Sequence, residues 1–470
     1  MTDALAAVIR TSVAEDLSTP ELIGLGADDR REFARQRIFL HLDEVVGSRL
    51  SEGAEPPTVE EEHEVARTVL DSLFGMGRIQ ALVDDPLVEN IDINGCDQVW
   101  VTYADGVKRS VAPVATTDEE LVELVRSAAV RFGLSERRFD LAQPELDLRL
   151  PDGSRLSALM AVTARPALSI RRHRYTDLSL DDLVDLGTLD EEMSSFLAAA
   201  VRAQKNIVVA GAMNSGKTTL LRALASEIPR RERIVTIEQA FELGLDTGSD
   251  RHPDMVAIEA RQANLEGEGR ISVADLVRRA LRMNADRVIV GEVLGDEVLP
   301  MLNAMSQGRS GSMCTIHADS SAGVFRRIAS YAVQAPERLP LEASNLLIAG
   351  AIDFVVFLDS KAPDHEERGS GLPDSVADGI GEPEEGLLFE ATAPRQRFIS
   401  SIREVVDAEG VQVISNEVYR PDGSRRAVPG APLRPETARD LAEHGYMPFG
   451  GVRERGVRIR RTGPSGEMSW

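Results

Sequence analysis

Residues 206–223 read NIVVAGAMNSGKTTLLRA. An apolar run, Ile207 to Ala210, leads into a loop bounded by Gly211 and Gly216, and a helix-forming stretch follows. A strand, a glycine-rich turn and a helix in that order form the phosphate-loop pattern. Its glycines let backbone N–H groups curl around phosphate oxygens, and the start of the helix adds unpaired donors and partial positive charge. The predicted cradle is Gly211, Ala212, Met213, Asn214, Ser215, Gly216, Lys217, Thr218 and Thr219. Lys217 reaches the β- and γ-phosphates in such a loop, and the Thr218 hydroxyl holds Mg²⁺. ATP and Mg²⁺ are therefore the expected ligands.

Outward from the loop, residues 180–358 alternate between helix-like stretches and buried strands: NIVVAGA, RIVTIE, DRVIVGE and GSMCTIHA. Apolar strands alternating with helices predict an α/β fold, a parallel sheet covered on both faces. Ligands of such sheets sit at the carboxyl ends of the strands. Glu238, Glu292 and His317 each close one of them. Of the two carboxylates, one can orient or deprotonate a water and the other can hold Mg²⁺; His317 is placed to sense the γ-phosphate. Cys314, inside its apolar strand, reads as core.

Before this unit, residues 63–172 read as a smaller α+β domain with turns at Asn94-Gly95, Asp105-Gly106 and Asp152-Gly153. Residues 1–62 form a helical extension, with Phe33, Ile38, Leu40 and Val45 near helical spacing, and 173–182 a linker. The α/β domain spans 183–360, an acidic disordered insertion 361–393, a terminal β-hairpin 394–424 and a flexible basic tail 425–470. In 361–386, eight acidic residues face two basic ones, with frequent Gly and Pro.

With 470 residues, 43% of them hydrophobic and 28% charged, the composition is that of a globular protein, too long for one core. No apolar run is long enough to span a bilayer, and the N-terminus lacks the basic start of a signal peptide. The expected location is cytoplasmic. Two cysteines, Cys96 and Cys314, cannot build a four-cysteine zinc module. A net charge of −24 argues against direct nucleic-acid binding through a globally basic surface, while a local basic groove stays open.

Taken in order, LPDGSR (150–155), SIRR (169–172), GAMNSGKTT (211–219), RIVTIEQAFEL (233–243), EAR (259–261), DLVRRALRMNADRVIVGEV (275–293) and GSMCTIHADS (311–320) resemble the secretion-system ATPase superfamily. That superfamily drives type II secretion, type IV pili and type IV secretion. The branch that looks most similar is the CpaF/TadA type, which serves Flp (tight-adherence) pili and includes conjugal-transfer-associated ATPases. The resemblance implies a RecA-like domain, a homo-hexameric ring and peripheral association with the inner face of the membrane through a platform protein. It gives Lys217 and Thr218 the Walker A roles, Glu238 that of the Asp box, Glu292 that of the catalytic Walker B glutamate and His317 that of the His box. It also implies that Arg155 and Arg171 approach the phosphates when the two domains close, and it matches Arg261 and Arg282 to family arginines of less defined role. Asn214, Gln239, Leu294 and Arg309 depart from the family pattern, raising slow hydrolysis, or a nucleotide-binding scaffold, as an alternative.

Overall fold

The computed structural model describes residues 2–446 apart from 20–21, 23–24, 104–105, 134–137, 173–177, 247–250, 262, 264–267, 307–309, 362–387 and 390–395. Arg309, most of the acidic insertion and half of the expected linker thus lie outside the described residues.

Three helices open the chain: α1 (Thr2–Leu17), α2 (Ala27–Glu52) and α3 (Val59–Phe74). Ile9, Val13 and Leu17 of α1 pack with Ala34, Ile38 and Leu42 of α2 and with Val65 and Val69 of α3. Each set repeats every fourth residue, which is one helical face. Leu40, expected inside, lies off that stripe and is exposed. The expected boundary at 62/63 falls within α3. That helix starts earlier because Thr58 and Glu61 form a reciprocal capping box.

The next unit comprises α4 (Ile79–Asp84), β1 (Val88–Asn94), β2 (Val99–Tyr103), β3 (Lys108–Val111), α5 (Asp118–Phe132), β4 (Glu145–Arg149), β5 (Arg155–Leu159) and β6 (Ala167–Arg171). Its strands run antiparallel in the order β3-β2-β1-β6-β5-β4. Gly95 and Gly153 take φ of 78° and 86° in the predicted hairpin turns, where a Cβ would be strained.

The larger unit follows with α6 (Leu180–Asp185), α7 (Glu191–Arg202), β7 (Ile207–Gly211), α8 (Lys217–Ala225), β8 (Ile234–Glu238), β9 (Met255–Glu259), α9 (Val273–Ala280), β10 (Arg287–Val293), α10 (Val298–Ser306), β11 (Met313–His317), α11 (Gly323–Gln334), α12 (Leu341–Ala351) and β12 (Phe354–Lys361). After the short β13 (Leu388–Phe389), which pairs with β3, come β14 (Gln396–Glu409), β15 (Gln412–Pro421), β16 (Ala427–Pro429) and α13 (Pro435–Glu443). One nine-stranded sheet results, ordered β16-β15-β14-β12-β7-β11-β10-β8-β9. From β12 to β9 every pairing is parallel. Val208 and Ala210 face one buried core while Ile207 and Val209 face the other, so period-two strands with both faces covered need apolar residues throughout.

Two expectations change at the C-terminal end. The hairpin of β14 and β15 is not a separate appendage, because β14 pairs with β12 and continues the main sheet. Residues 425–446, expected to be a flexible tail, fold as β16 and α13. Leu441 is fully buried, and Tyr446 meets Phe196 edge-on at 5.4 Å. Arg434 pairs at 3.0 Å with the buried Glu404. A nine-residue helix with two buried positions, Thr437 and Leu441, is too short to show a clear period.

At the start of β10, Arg287 has no exposed surface; its Nε donates to Glu232 at 2.5 Å and its Nη1 to the Val201 carbonyl at 2.8 Å. A Cβ on Gly311 would lie 2.3 Å from that guanidinium. Removing one partner of a buried pair strands the other charge. Arg287→Ala is therefore expected to cost about 3–5 kcal/mol in denaturant unfolding, whereas a loss below 1 kcal/mol would contradict the pairing.

Candidate nucleotide site

The phosphate loop leaves β7 at Gly211, which lies in register with His317 of β11 and Leu358 of β12. A Cβ on Gly211 would sit 2.4 Å from Ser215 Oγ and 2.6 Å from the Leu358 carbonyl oxygen, so only glycine fits. Asn214 and Gly216 take φ of 62° and 93°. Asparagine tolerates the left-handed region better than other side chains, so the loop accepts it at this position. Ala212, Met213 and Asn214 are exposed and Ser215 is buried; Thr218 and Thr219 lie half-buried on the first turn of α8. No side chain caps that helix at Gly216, so its first N–H groups remain for a ligand.

Lys217 is buried, and its Nζ donates to the Ala212 carbonyl at 3.0 Å and to His317 Nδ1 at 3.1 Å. Burial pushes the Lys217 pKa down, opposed by the charges of Glu292 and Glu242. An ammonium can only donate, so Nδ1 accepts and the imidazole proton sits on Nε2. That nitrogen lies 2.8 Å from Glu292 Oε1. The strand order β7-β11-β10 thereby joins three expected residues in one chain: Lys217, His317 and Glu292.

Glu238 stands differently from expectation. Its side chain is buried, and Oε1 accepts the N–H groups of Glu242 at 2.9 Å and Leu243 at 2.8 Å. On the other side of this turn, Arg222 of α8 donates to the carbonyls of Leu243, at 2.8 Å, and Glu242. The two side chains clamp one loop, and Glu242 on that loop acts on Lys217 by its charge alongside Glu292. Sequence reasoning missed both Glu242 and Arg222. The second glutamate of TIEQAFE, four residues after Glu238, was the available signal for Glu242.

Arg155 and Arg171 face each other across β5 and β6, and Arg149 faces Arg155 across β4 and β5. Three arginines thus form one row. Arg171 adds its positive charge to the surroundings of Lys217. Arg155 lies 3.6 Å from Asp147, while Arg149 lies 3.9 Å from Asp246 and covers the Phe241 ring at 5.9 Å. Arg149 was missed, although a turn at 152–153 already places it opposite Arg155.

Arg261 is engaged locally, its Nε donating to the Gly269 carbonyl at 2.7 Å, and Arg282 is exposed beyond α9. Gln239 and Leu294 line a cleft of about 240 Å³ together with Arg261 and Glu292. Cys314 is buried, and burial pushes its thiol above the ordinary range, as a core role requires. Among the described residues no group of three His, Cys, Asp or Glu could hold a metal ion. Near the loop the donors are a Thr218 hydroxyl and a few carboxylates, all oxygens. That set suits Mg²⁺, which keeps waters and takes phosphate oxygens rather than a protein cage.

Residues 73–365 match the family model described as type II/IV secretion system protein. The chain belongs to that family. A putative conjugal transfer protein of Mycobacterium tuberculosis is 35% identical over 271 residues, covering 56% of this chain and 74% of that one. The type IV secretion system protein PtlH of Bordetella pertussis is 32% identical over 307 residues, covering 58% and 86%. Among solved structures, the VirB11 ATPase of the Brucella suis type IV secretion system is 26% identical and covers 66% of this chain and 94% of its own, with a TM-score of 0.32. No helix among the described residues is long and apolar enough to cross a membrane. As a member of this family, the chain carries the mixed α/β fold described above.

Burial raises the Glu238 pKa from 4.5 to about 7. The folded state then holds this proton more tightly than the unfolded chain, so the stability from this site is full below pH 4.5 and is lost as pH rises through about 7. Glu238→Gln keeps an oxygen for the two N–H groups and cannot ionise. In denaturant unfolding, the variant should gain on wild type by up to about 3 kcal/mol between pH 4.5 and 8. A gap independent of pH would contradict a buried, titrating Glu238.

Proposed function

We propose that this chain is a Mg²⁺-dependent ATPase that converts hydrolysis into mechanical work for a membrane-embedded pilus or secretion machine. The observation that carries the reading is the Lys217–His317–Glu292 chain beside a phosphate loop, at the ends of three neighbouring parallel strands. That strand order supports a RecA-like domain. A triphosphate entering the loop draws the Lys217 ammonium onto its β- and γ-oxygens and releases His317 Nδ1 from that donor. Glu292 then polarises the attacking water, with its carboxylate oriented by His317 Nε2–H. Mg²⁺ would be held by Thr218 with a carboxylate such as Glu242, rather than by the loop clamp Glu238, and would supply positive charge to the phosphates. Arg155 and Arg171, with Arg149 in the same row, add donors when the smaller unit closes over the site.

A homo-hexameric ring working peripherally on the cytoplasmic face through a platform protein is the assembly this reading implies. The Tad-pilus assignment rests on the ordered motifs. The names of the relatives from Mycobacterium tuberculosis and Bordetella pertussis favour conjugal transfer or type IV secretion as the second reading. A scaffold that binds ATP with little turnover draws support from Gln239 and Leu294, which share a cleft with Glu292.

Phosphate release by the full chain separates the motor from the scaffold. Wild type should turn over ATP only with Mg²⁺, and Lys217→Ala should lose both binding and turnover. Glu292→Gln should bind ATP normally while turnover falls by about 10²-fold or more, the share of a positioned general base. Binding without turnover in wild type would instead establish the scaffold. A strict monomer by native mass spectrometry, with and without ATP, would count against the ring.

A further inference from the structure

The phosphate loop has a contact from a distant part of the chain that its strand–turn–helix logic does not require. Arg397, near the start of β14, donates from Nε to the Asn214 carbonyl at 3.1 Å. Its stem lies along the loop as well: a Cβ on Gly216 would sit 3.4 Å from Arg397 Cδ. Sheet register brings it there. Leu358 pairs with Gly211 across β12 and β7, and Ser360 pairs with Arg397 across β12 and β14. Phe398, buried at the next position under the Arg426 guanidinium at 4.9 Å, anchors this end of β14.

We infer that Arg397 is a positioning residue for the phosphate loop, supplied by the C-terminal part of the sheet, and that it tunes affinity for the nucleotide triphosphate. Asn214 is the one non-glycine residue of the loop in the left-handed region, where the backbone gains least from local sterics. A trans peptide carries its oxygen and its N–H on opposite sides. Holding the Asn214 oxygen from outside therefore turns the Ser215 N–H into the loop, where it now meets the Ala212 carbonyl at 3.3 Å. That long contact is readily exchanged for a phosphate oxygen. Arg397 thus presets a donor before the ligand arrives, which lowers the ordering cost of binding. It acts through Asn214, so it affects binding rather than the polarised water at Glu292.

This inference rests on the nucleotide-binding reading above, and three substitutions isolate it. Glutamine carries its amide nitrogen at the position of Arg Nε, so Arg397→Gln keeps the donor and drops the charge. Arg397→Lys keeps the charge but puts a methylene there, and Arg397→Met keeps neither. Titration of the full chain with a fluorescent ATP analogue should give R397Q a Kd within about twofold of wild type, and R397M and R397K a Kd about three- to tenfold higher, the worth of one hydrogen bond. KM for ATP should rise in parallel, with kcat within about twofold and melting temperatures unchanged. Should R397M melt early, R397K, which retains stem and charge, carries the comparison. Wild-type affinity in R397K with weakened binding in R397Q would mean that charge alone acts, overturning the inference, as would unchanged affinity in R397M. If wild type itself binds no nucleotide while remaining folded, the nucleotide-binding reading fails first and takes this inference with it.

Discussion

The site depends on an ammonium group removed from water. Lys217 is buried at the start of α8, and it keeps its place there because a carbonyl oxygen and an imidazole nitrogen accept from it. An unpaired charge at that depth would be costly. The strand order meets this demand: with β11 between β7 and β10, His317 stands between lysine and glutamate and satisfies both. Thr315 ties β11 to β10 through a 2.6 Å bond to the Gly291 carbonyl, just where the register of β10 shifts and Glu292 emerges. A triphosphate offers Lys217 better acceptors than His317, so ligand entry and release of the histidine are linked by one proton donor changing partners.

Around that chain, polar side chains are spent on holding loops. Glu238 and Arg222 grip the same two residues from opposite sides, Glu238 by their N–H groups and Arg222 by their carbonyls. Gly291 is part of the same fit, since a Cβ there would lie 2.9 Å from Glu238 Cγ. The phosphate loop is gripped similarly, by Lys217 at the Ala212 carbonyl within and by Arg397 at the Asn214 carbonyl without. Only the arginine row of β4, β5 and β6 belongs to a separate sheet. This arrangement suits the mechanical cycle proposed above, in which the parts of the site come together and separate.

Much of this was readable from residue order alone, because the deciding signals are local. An apolar run ending in Gly211, a lysine after Gly216 and strands ending in Glu238 and His317 stand where the sequence places them, while β10 runs one residue past Glu292 to Val293. What escaped depends on contacts between distant segments. Periodicity over nine residues cannot reveal that Leu441 fills a core against α7, so in sequence α13 reads as tail. Nor does a strand-end position tell a ligand from a clamp: Glu238 and Glu292 look alike in sequence, and only burial distinguishes their tasks. Leu40 illustrates a third limit, since an apolar residue near helical spacing still faces solvent when the stripe beside it, Ala34, Ile38 and Leu42, wins the core. Asn214, a departure in sequence, is accommodated in structure by its positive φ.

The claim at the centre of this account is that Lys217 leaves His317 when a triphosphate binds. Nitrogen-15 NMR of histidine-labelled full-length protein, with His317 assigned by His317→Gln, measures that directly. In the free protein Nδ1 should resonate as an unprotonated, hydrogen-bonded acceptor and Nε2 as the protonated nitrogen. Saturation with Mg²⁺ and a non-hydrolysable ATP analogue should move the Nδ1 signal as its donor departs. A His317 spectrum unchanged at saturation, or an Nδ1 that is protonated from the outset, would contradict the account.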